Sequence, residues 1–284
     1  MPEATSQSRQ AAITELAERS VRLFLHTPDI IYGLLPPDKE SSGDAGIRYW
    51  KFNRQTGRIR VLNVYEDKKL RVEKPDPGDT QVPLSYKPES RLAMVEKTEG
   101  CPYFCKWYKE SSWPLRVRTA QLMHRIMGTG TPELLGCDDT QRSIRWEWID
   151  DHREELPAVS KLFQILQPLH DVDPPENIPA VSPEKIAAYL QQRLESLAVW
   201  RDLFSPEAIH VMKKLDTKAK PLISLLSNLS RPNRYRLIHG DMRRRNLMAG
   251  PGGKLLLVDS DHLAAGEPEW DYACWAADAA CEDE

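Results

Sequence analysis

The 284-residue chain contains no run of about 18 apolar residues, the length a helix needs to cross a bilayer. Its opening residues, Met1-Pro2-Glu3-Ala4-Thr5-Ser6-Gln7, lack the basic and apolar regions of a secretory signal. Cysteine is scarce and odd in number, five in all, which points to reduced thiols in the cytoplasm rather than a disulfide framework. Cys101 and Cys105 have a metal-like spacing, but no Cys or His pair follows at structural-zinc distance, so no zinc site is expected. Neither sign of charge dominates. Lys and Arg number 39 against 42 Asp and Glu, and the formal charge of −3 gives no whole-protein attraction to nucleic acid. No internal repeat is present. With 40% hydrophobic and 29% charged residues, the composition is that of a folded, soluble chain long enough for two lobes, with neither a membrane nor a nucleic acid as partner.

What is present is concentrated near the end. Leu237-Ile238-His239-Gly240-Asp241-Met242-Arg243-Arg244-Arg245-Asn246 has the form H-G-D-x4-N. A turn, Ala249-Gly250-Pro251-Gly252-Gly253, then leads into the apolar run Leu255-Leu256-Leu257-Val258, which ends in Asp259. These residue types suit phosphoryl transfer, which asks for positioning and charge neutralisation more than for covalent work. Asp241 would accept or orient the hydroxyl proton of an acceptor. Asn246, on the same short loop, and Asp259, at the end of a buried strand, would offer hard oxygens to magnesium. A lone H-G-D can also cap a turn, and the reading gains its strength from Asn246 and Asp259 together. His239 reads as a brace for the loop rather than an acid or base. The three arginines fit equally a solvated turn and a lure for phosphate or an anionic substrate.

The segment from Leu237 to Ala273 resembles the aminoglycoside phosphotransferase and choline kinase family, small-molecule kinases related in fold to protein kinases. The resemblance is carried by H-G-D-x4-N, by Val258-Asp259-Ser260-Asp261, and by Gly266-Glu267-Pro268-Glu269-Trp270-Asp271-Tyr272-Ala273. It implies an α+β, two-lobed, protein-kinase-like fold with a small β-rich N-lobe and a mostly helical C-lobe. It implies ATP, with GTP an open alternative, and Mg2+ as cofactors, and a small-molecule hydroxyl as acceptor. By the same resemblance Asp241 is the catalytic base, Asn246 and Asp259 are magnesium ligands, Asp261 is a supporting carboxylate toward metal or substrate, and Asp271 a buttress of the catalytic loop.

Upstream, Arg91 to Lys97 and Tyr103 to Lys109 read as strands about a turn at Thr98-Glu99-Gly100. Lys106 stands where the family places the lysine that grips the nucleotide phosphates, and strand parity sets Lys109 on the opposite face. A helix is expected over Leu115 to Ile126. The family's glutamate that orients the lysine has Thr119 at its matching position, and a threonine cannot make that ion pair. The segments Thr131 to Gly136 and Ile144 to Asp150 resemble the strand entry and hinge, so that backbone near Glu147 to Ile149 would bond adenine. The candidate phosphate loop, Ser85-Tyr86-Lys87-Pro88-Glu89-Ser90, has no glycine, which leaves Ser85 or Ser90 to serve.

Three domains are therefore expected: residues 1–80 as an extension or elaborated start of the N-lobe, 81–150 as the nucleotide-binding N-lobe, and 151–284 as the C-lobe. Gln10 to Leu25 reads as an amphipathic helix, Gly46 to Tyr65 as two strands, and Pro75 to Thr80 as a linker. Helices are expected over Ala158 to His170, Ile186 to Leu203 and Ala208 to Leu229, and these helices would underlie the catalytic loop and line the acceptor site. The chain ends eleven residues after Ala273, where the family continues, so the C-lobe is expected to be minimal, truncated or completed by another subunit. Two other readings stay open. A nucleotide-binding pseudokinase or regulatory module is favoured by Thr119, the glycine-free loop and the early end. A protein kinase is disfavoured by H-G-D in place of H-R-D.

Overall fold

The computed structural model describes residues 6–36, 47–73, 80–97, 101–151, 159–229 and 235–280. The fold is α+β, with sheets dominating the N-terminal part and helices the C-terminal part. The chain opens with α1 (Ser6–Glu18) and a meander of β1 (Arg22–Thr27), β2 (Ile30–Leu34), β3 (Arg48–Asn53) and β4 (Arg58–Asn63). Helix α1 stops short of the span expected from Gln10 to Leu25. Leu23, Phe24 and Leu25 belong to β1 instead, because Pro28 and Asp29 turn the chain and set Phe24 opposite Tyr32 of β2. The two strands expected between Gly46 and Tyr65 are β3 and β4, paired from Arg48↔Asn63 to Asn53↔Arg58.

A second sheet follows, with β5 (Thr80–Lys87), β6 (Arg91–Lys97) and β7 (Tyr103–Tyr108), then α2 (Trp113–Met127), β8 (Leu134–Asp138) and β9 (Ser143–Glu147). Its strand order is β5-β6-β7-β9-β8. Helix α2 starts with Pro114 in its first turn, where the missing N–H costs nothing, and ends at Gly128, whose φ of 52° few other residues adopt. Then come α3 (Val159–His170), α4 (Pro183–Val199) and α5 (Pro206–Asn228), whose Ser205 side chain accepts from the Ala208 N–H as an N-cap. Four short strands, β10 (Arg236–Ile238), β11 (Leu247–Ala249), β12 (Leu255–Leu257) and β13 (Ala264–Gly266), lead to α6 (Glu269–Ala280). Of the linker candidate Pro75 to Thr80, residues 75–79 lie outside the described residues and Thr80 begins β5, and the turn at Thr98 to Gly100 also lies outside them.

Two compact units divide the chain: Met1–Lys74 with Tyr86–Arg91 and Pro183–Leu229, and Pro75–Ser85 with Leu92–Ser182 and Ser230–Glu284. In the first, Ile13 and Ala17 of α1 pack with Ile31, Trp50, Phe52 and Trp200. The partners of α4 here are β1, α5 and the turn at Arg201–Leu203, and Arg193 of α4 donates to the Leu25 carbonyl at 2.7 Å. The same unit buries a polar knot. Asp67 accepts from the Tyr86 hydroxyl and from the Glu89 N–H, both at 2.8 Å, and Glu89 is paired with Lys51 and Lys69 at 2.6 Å each. Burial of Glu89 opposes its ionisation, but the two ammonium groups outweigh it and hold the carboxyl below its usual range.

In the second unit, Met123 of α2, Leu162, Leu166 and Leu169 of α3, and Trp275 of α6 enclose Leu237, Met242, Leu247 and Leu257. The loop from His239 to Asn246 thus lies between strands whose apolar residues are fixed in one core. Among the described residues no helix is long and apolar enough to cross a membrane. Leu166 is fully buried, so Leu166→Ala should cost about 2–5 kcal/mol through lost contact and a residual cavity. Leu225→Ala, on an exposed stretch of α5, should stay within about 0.5 kcal/mol. Urea unfolding followed by tryptophan fluorescence checks both.

Candidate functional site

The loop between β10 and β11 is held from below by one carboxylate. Asp271, fully buried near the start of α6, accepts from the N–H groups of His239 and Gly240 at 2.8 Å each, and its Oδ2 lies 3.0 Å from His170 Nε2. Gly240 has φ of 81°, and a Cβ there would stand 2.1 Å from the His262 carbonyl oxygen, so the close approach and the left-handed turn both require glycine. The His239 imidazole, also fully buried, places Nε2 2.9 Å from the Val258 carbonyl. That contact ties the loop to the residue before Asp259. The Val258 N–H in turn donates to the Asn246 carbonyl at 2.9 Å.

Asp241 emerges from this frame with its side chain 13% exposed. Arg243 Nε lies 2.7 Å from its Oδ1, and Arg245 Nη2 3.4 Å from its Oδ2. Arg244 turns elsewhere, its N–H donating to Asp278 at 2.9 Å and its guanidinium to the Ala279 carbonyl at 3.2 Å. The three arginines therefore divide: two face the carboxylate and one braces α6. Asn246 is buried, and its amide nitrogen donates to the Asp241 carbonyl at 2.6 Å. Its Oδ1 is the hard donor that remains.

Asp259 follows β12 in a left-handed conformation, φ 69° and ψ 79°, and its Oδ1 accepts from the Asp261 N–H at 3.1 Å. This departure from extended backbone turns the carboxylate away from the strand direction. Lys106 of β7 reaches it: Nζ is 2.8 Å from Asp259 Oδ1 and 3.5 Å from Asp261 Oδ2. Tyr108, two residues further on the same strand face, donates its hydroxyl to Asp261 Oδ1 at 2.6 Å. Burial, then the charges of Asp261 and Asp259, push the Tyr108 hydroxyl well above its usual pKa, which keeps it a donor. Arg116 of α2 donates to the Asp261 carbonyl oxygen. Sequence reasoning missed Tyr108, although the parity that separates Lys106 from Lys109 also puts Tyr108 beside Lys106. Lys109 itself lies just past the end of β7.

The remaining expected residues stand further apart. Glu147 ends β9, and its N–H is taken by the Glu133 carbonyl at 2.9 Å. Ile149 follows it and is buried. Trp146 belongs to a core with Tyr108, Trp113 and Ile144, while Trp148 donates to Asp150 at 2.7 Å. Ser85 is exposed on β5, and Ser90 closes the turn before β6; the two fall in different compact units. Two amides of that turn are already engaged, Glu89 N–H by Asp67 and Ser90 N–H by the Lys87 carbonyl at 3.1 Å.

Within the second unit, then, Asp241, Asn246, Asp259, Asp261 and Lys106 are linked through adjacent hydrogen bonds. Among the described residues no three His, Cys, Asp or Glu side chains form a metal-holding group. One carboxylate and one amide oxygen are a donor set that fits magnesium, which takes few protein ligands and completes its shell with water and phosphate. Burial, then the charges of Asp271 and Asp241, push the Cys274 thiol up to about 11, so it is no nucleophile at neutral pH.

A family model described as the phosphotransferase enzyme family matches residues 134–284. No curated relative matches the chain. Solved structures similar to it include choline kinase LicA from Streptococcus pneumoniae, 16% identical, covering 71% of this chain and 69% of that one, with a TM-score of 0.47. An aminoglycoside phosphotransferase, APH(3'')-Id from Streptomyces rimosus, is 16% identical over 70% of this chain and 77% of its own, with a TM-score of 0.49. An ethanolamine kinase from Plasmodium vivax is 15% identical over 71% and 61%, with a TM-score of 0.48.

Replacing Asp271 by Ala strands two backbone donors and a histidine in a dry site. The expected cost is about 2–6 kcal/mol, from a full desolvation penalty of ~1–3 kcal/mol for each of the two backbone donors left unpaired. Asp271→Asn keeps one acceptor oxygen and should cost less than the alanine variant. Thermal and urea unfolding of the two variants beside the parent check the order.

Proposed function

This chain belongs to the phosphotransferase enzyme family, and we propose that it moves the γ-phosphate of ATP, or alternatively of GTP, to a hydroxyl group of a small molecule. The observation that carries the proposal is the meeting of Lys106 with Asp259 at 2.8 Å, on the strand tied through His239 and Asn246 to the Asp241 loop. Separate stretches of sequence, each chosen for a role in one reaction, converge in one unit.

In the proposed reaction the acceptor hydroxyl donates to Asp241. Its oxygen bonds the γ-phosphorus while the bond from that phosphorus to the β–γ bridging oxygen breaks, and the electron pair leaves with the nucleoside diphosphate. The hydroxyl proton passes to Asp241. Arg243 on Asp241 Oδ1, at 2.7 Å, and Arg245 on Oδ2, at 3.4 Å, orient the carboxylate, and Oδ2, the more loosely held oxygen, would face the acceptor. The Lys106 ammonium would neutralise phosphate oxygens of the nucleotide. Asn246 and Asp259 would hold Mg2+, which supplies charge neutralisation along the phosphates when bound. Backbone at Glu147 to Ile149 would meet the base, with the Glu147 N–H already committed to the sheet. The cytoplasmic setting expected from the cysteine count belongs to the same proposal.

A pseudokinase is the second reading, favoured by one observation: Thr119 is fully buried and its hydroxyl turns back to the Arg116 carbonyl at 3.1 Å, away from any lysine. Transfer of labelled γ-phosphate from Mg-ATP into a mixture of metabolites and aminoglycosides separates the two. A new labelled small molecule is expected, absent with Asp241→Asn, whose fold should be unchanged by circular dichroism. Asp259→Ala should abolish magnesium-dependent nucleotide binding in a fluorescence titration. Nucleotide binding without transfer would favour the pseudokinase, and undiminished transfer by Asp241→Asn would remove that residue from its role.

A further inference from the structure

Lys106 is an ammonium on the inner side of a sheet, its side chain only 9% exposed, and a buried cation needs a permanent counter-charge. The helix that the family resemblance would use for this purpose cannot provide it. Thr119 carries no charge, is fully buried, and gives its hydroxyl to the carbonyl of Arg116 in its own helix. Asp259 is close, but on the kinase reading its oxygens belong to the metal. A partner is needed that the metal does not claim.

We propose that Asp261, held by Tyr108 and Arg116, is the positioning residue for Lys106 and takes the place of the helix carboxylate missing at position 119. The geometry assigns each of its oxygens. Oδ2 lies 3.5 Å from Lys106 Nζ, and Oδ1 accepts the Tyr108 hydroxyl at 2.6 Å. Lys106 and Tyr108 are two apart on β7 and share a face, so one carboxylate spans both and its rotation is fixed by the tyrosine. The main chain of Asp261 is fixed separately, by the Arg116 guanidinium on its carbonyl oxygen. Arg116 stands on α2 one turn before Thr119. The helix therefore still takes part, but it secures the carboxylate's backbone rather than supplying the carboxylate. The Asp261 side chain is 3% exposed, so water offers it little competition.

This arrangement has a functional consequence. Where a helix carboxylate holds the lysine, a shift of the helix releases it. Here the anchor sits two residues beyond Asp259, so the lysine is keyed to the turn at Ser260–His262, and side-chain changes at Thr119 should leave it in place.

The inference rests on the kinase reading for its meaning, but the holding of Lys106 can be measured without nucleotide. Acylation of lysines by a water-soluble ester, followed by mass spectrometry, reads how tightly Lys106 is held. The background is Asp259→Asn, which removes the other anchor. Lys106 should stay protected in that background and with Thr119→Ala added, and should label at least about tenfold faster once Asp261→Asn is added. Tyr108→Phe, which keeps the ring and removes only the hydroxyl, should give a smaller rise. Equal labelling in all four variants overturns the proposal. The second arm uses chains with Asp259 intact and titrates Mg-ADP. Asp261→Asn should weaken binding about tenfold in the parent and not at all in a Lys106→Met background, since a residue acting through Lys106 has nothing left to act on. Equal weakening in both backgrounds also overturns it. Failure of the parent chain to bind Mg-ADP, with Lys106 still released in the Asp261 variant, would refute the kinase reading and leave the positioning role standing.

Discussion

A loop outside regular secondary structure is usually short of hydrogen bonds of its own, and the segment from His239 to Asn246, which carries the proposed catalytic Asp241, is a case of this. It has a 3-10 turn at Arg244–Asn246 and the Asn246 amide on the Asp241 carbonyl, and it is also held by groups from elsewhere. Asp271 takes two of its main-chain donors. It lies about thirty residues downstream and is wholly buried, yet both of its oxygens point at main-chain N–H groups of His239 and Gly240. A carboxylate so placed strengthens its bonds through the low dielectric around it, and the same dielectric penalises any donor it loses. The position of Asp241 follows from that contact, because Gly240 directly precedes it. The burial of Asp271 follows in turn from the core that α3 and α6 build with Leu237, Met242 and Leu257.

The same logic runs through Lys106, Tyr108 and the turn after β12 at longer range. Lys106 and Asp259 are 153 residues apart in sequence, and so are Tyr108 and Asp261. Two residues on one strand face therefore meet two residues on one turn with the same spacing, which makes this a paired contact rather than two coincidences. His239 closes the circuit by joining the Asp241 loop to Val258. The result is a chain of short contacts from β7 through the turn after β12 to the H-G-D loop. None of its links requires a ligand to be present.

How much of this could be read from sequence depends on the range of the signal. The H-G-D loop, the turn into β12 and the apolar run before Asp259 are local patterns, and they were legible because each is written in consecutive residues. Lys106 was singled out by the family resemblance, with strand parity setting Lys109 on the other face. Tyr108 was not, because its role depends on Asp261, and a tyrosine on an apolar strand looks like core, which it also is. The strand at Arg22–Thr27 was hidden for a different reason. Leu23 and Leu25 continue the apolar spacing of α1 well enough to read as helix, and only the turn at Pro28 and Asp29, which lets β2 fold back, decides for strand. Helices α4 and α5 begin at Ser182-Pro183-Glu184 and Ser205-Pro206-Glu207, which mark helix starts in the sequence, but a start signal says nothing about packing partners. Their contact with β1 and with each other was accordingly invisible.

Thr119 shows why a missing motif residue is weak evidence against activity. The chemical requirement is a counter-charge for a buried lysine, and any carboxylate that reaches the ammonium meets it. A degenerate site that had lost its use for Lys106 would have no reason to keep an ammonium 9% exposed, since a buried cation without function costs stability that a methionine or leucine would not. Nor would it need the tyrosine that occupies the second oxygen of the anchoring aspartate. Lys106 and Tyr108 meet on one carboxylate, Asp261, beside an Asp259 in a left-handed conformation, an arrangement in keeping with the proposed handling of phosphate. The weight of that argument lies on the cost of burying charge, which acts on the chain whatever its acceptor.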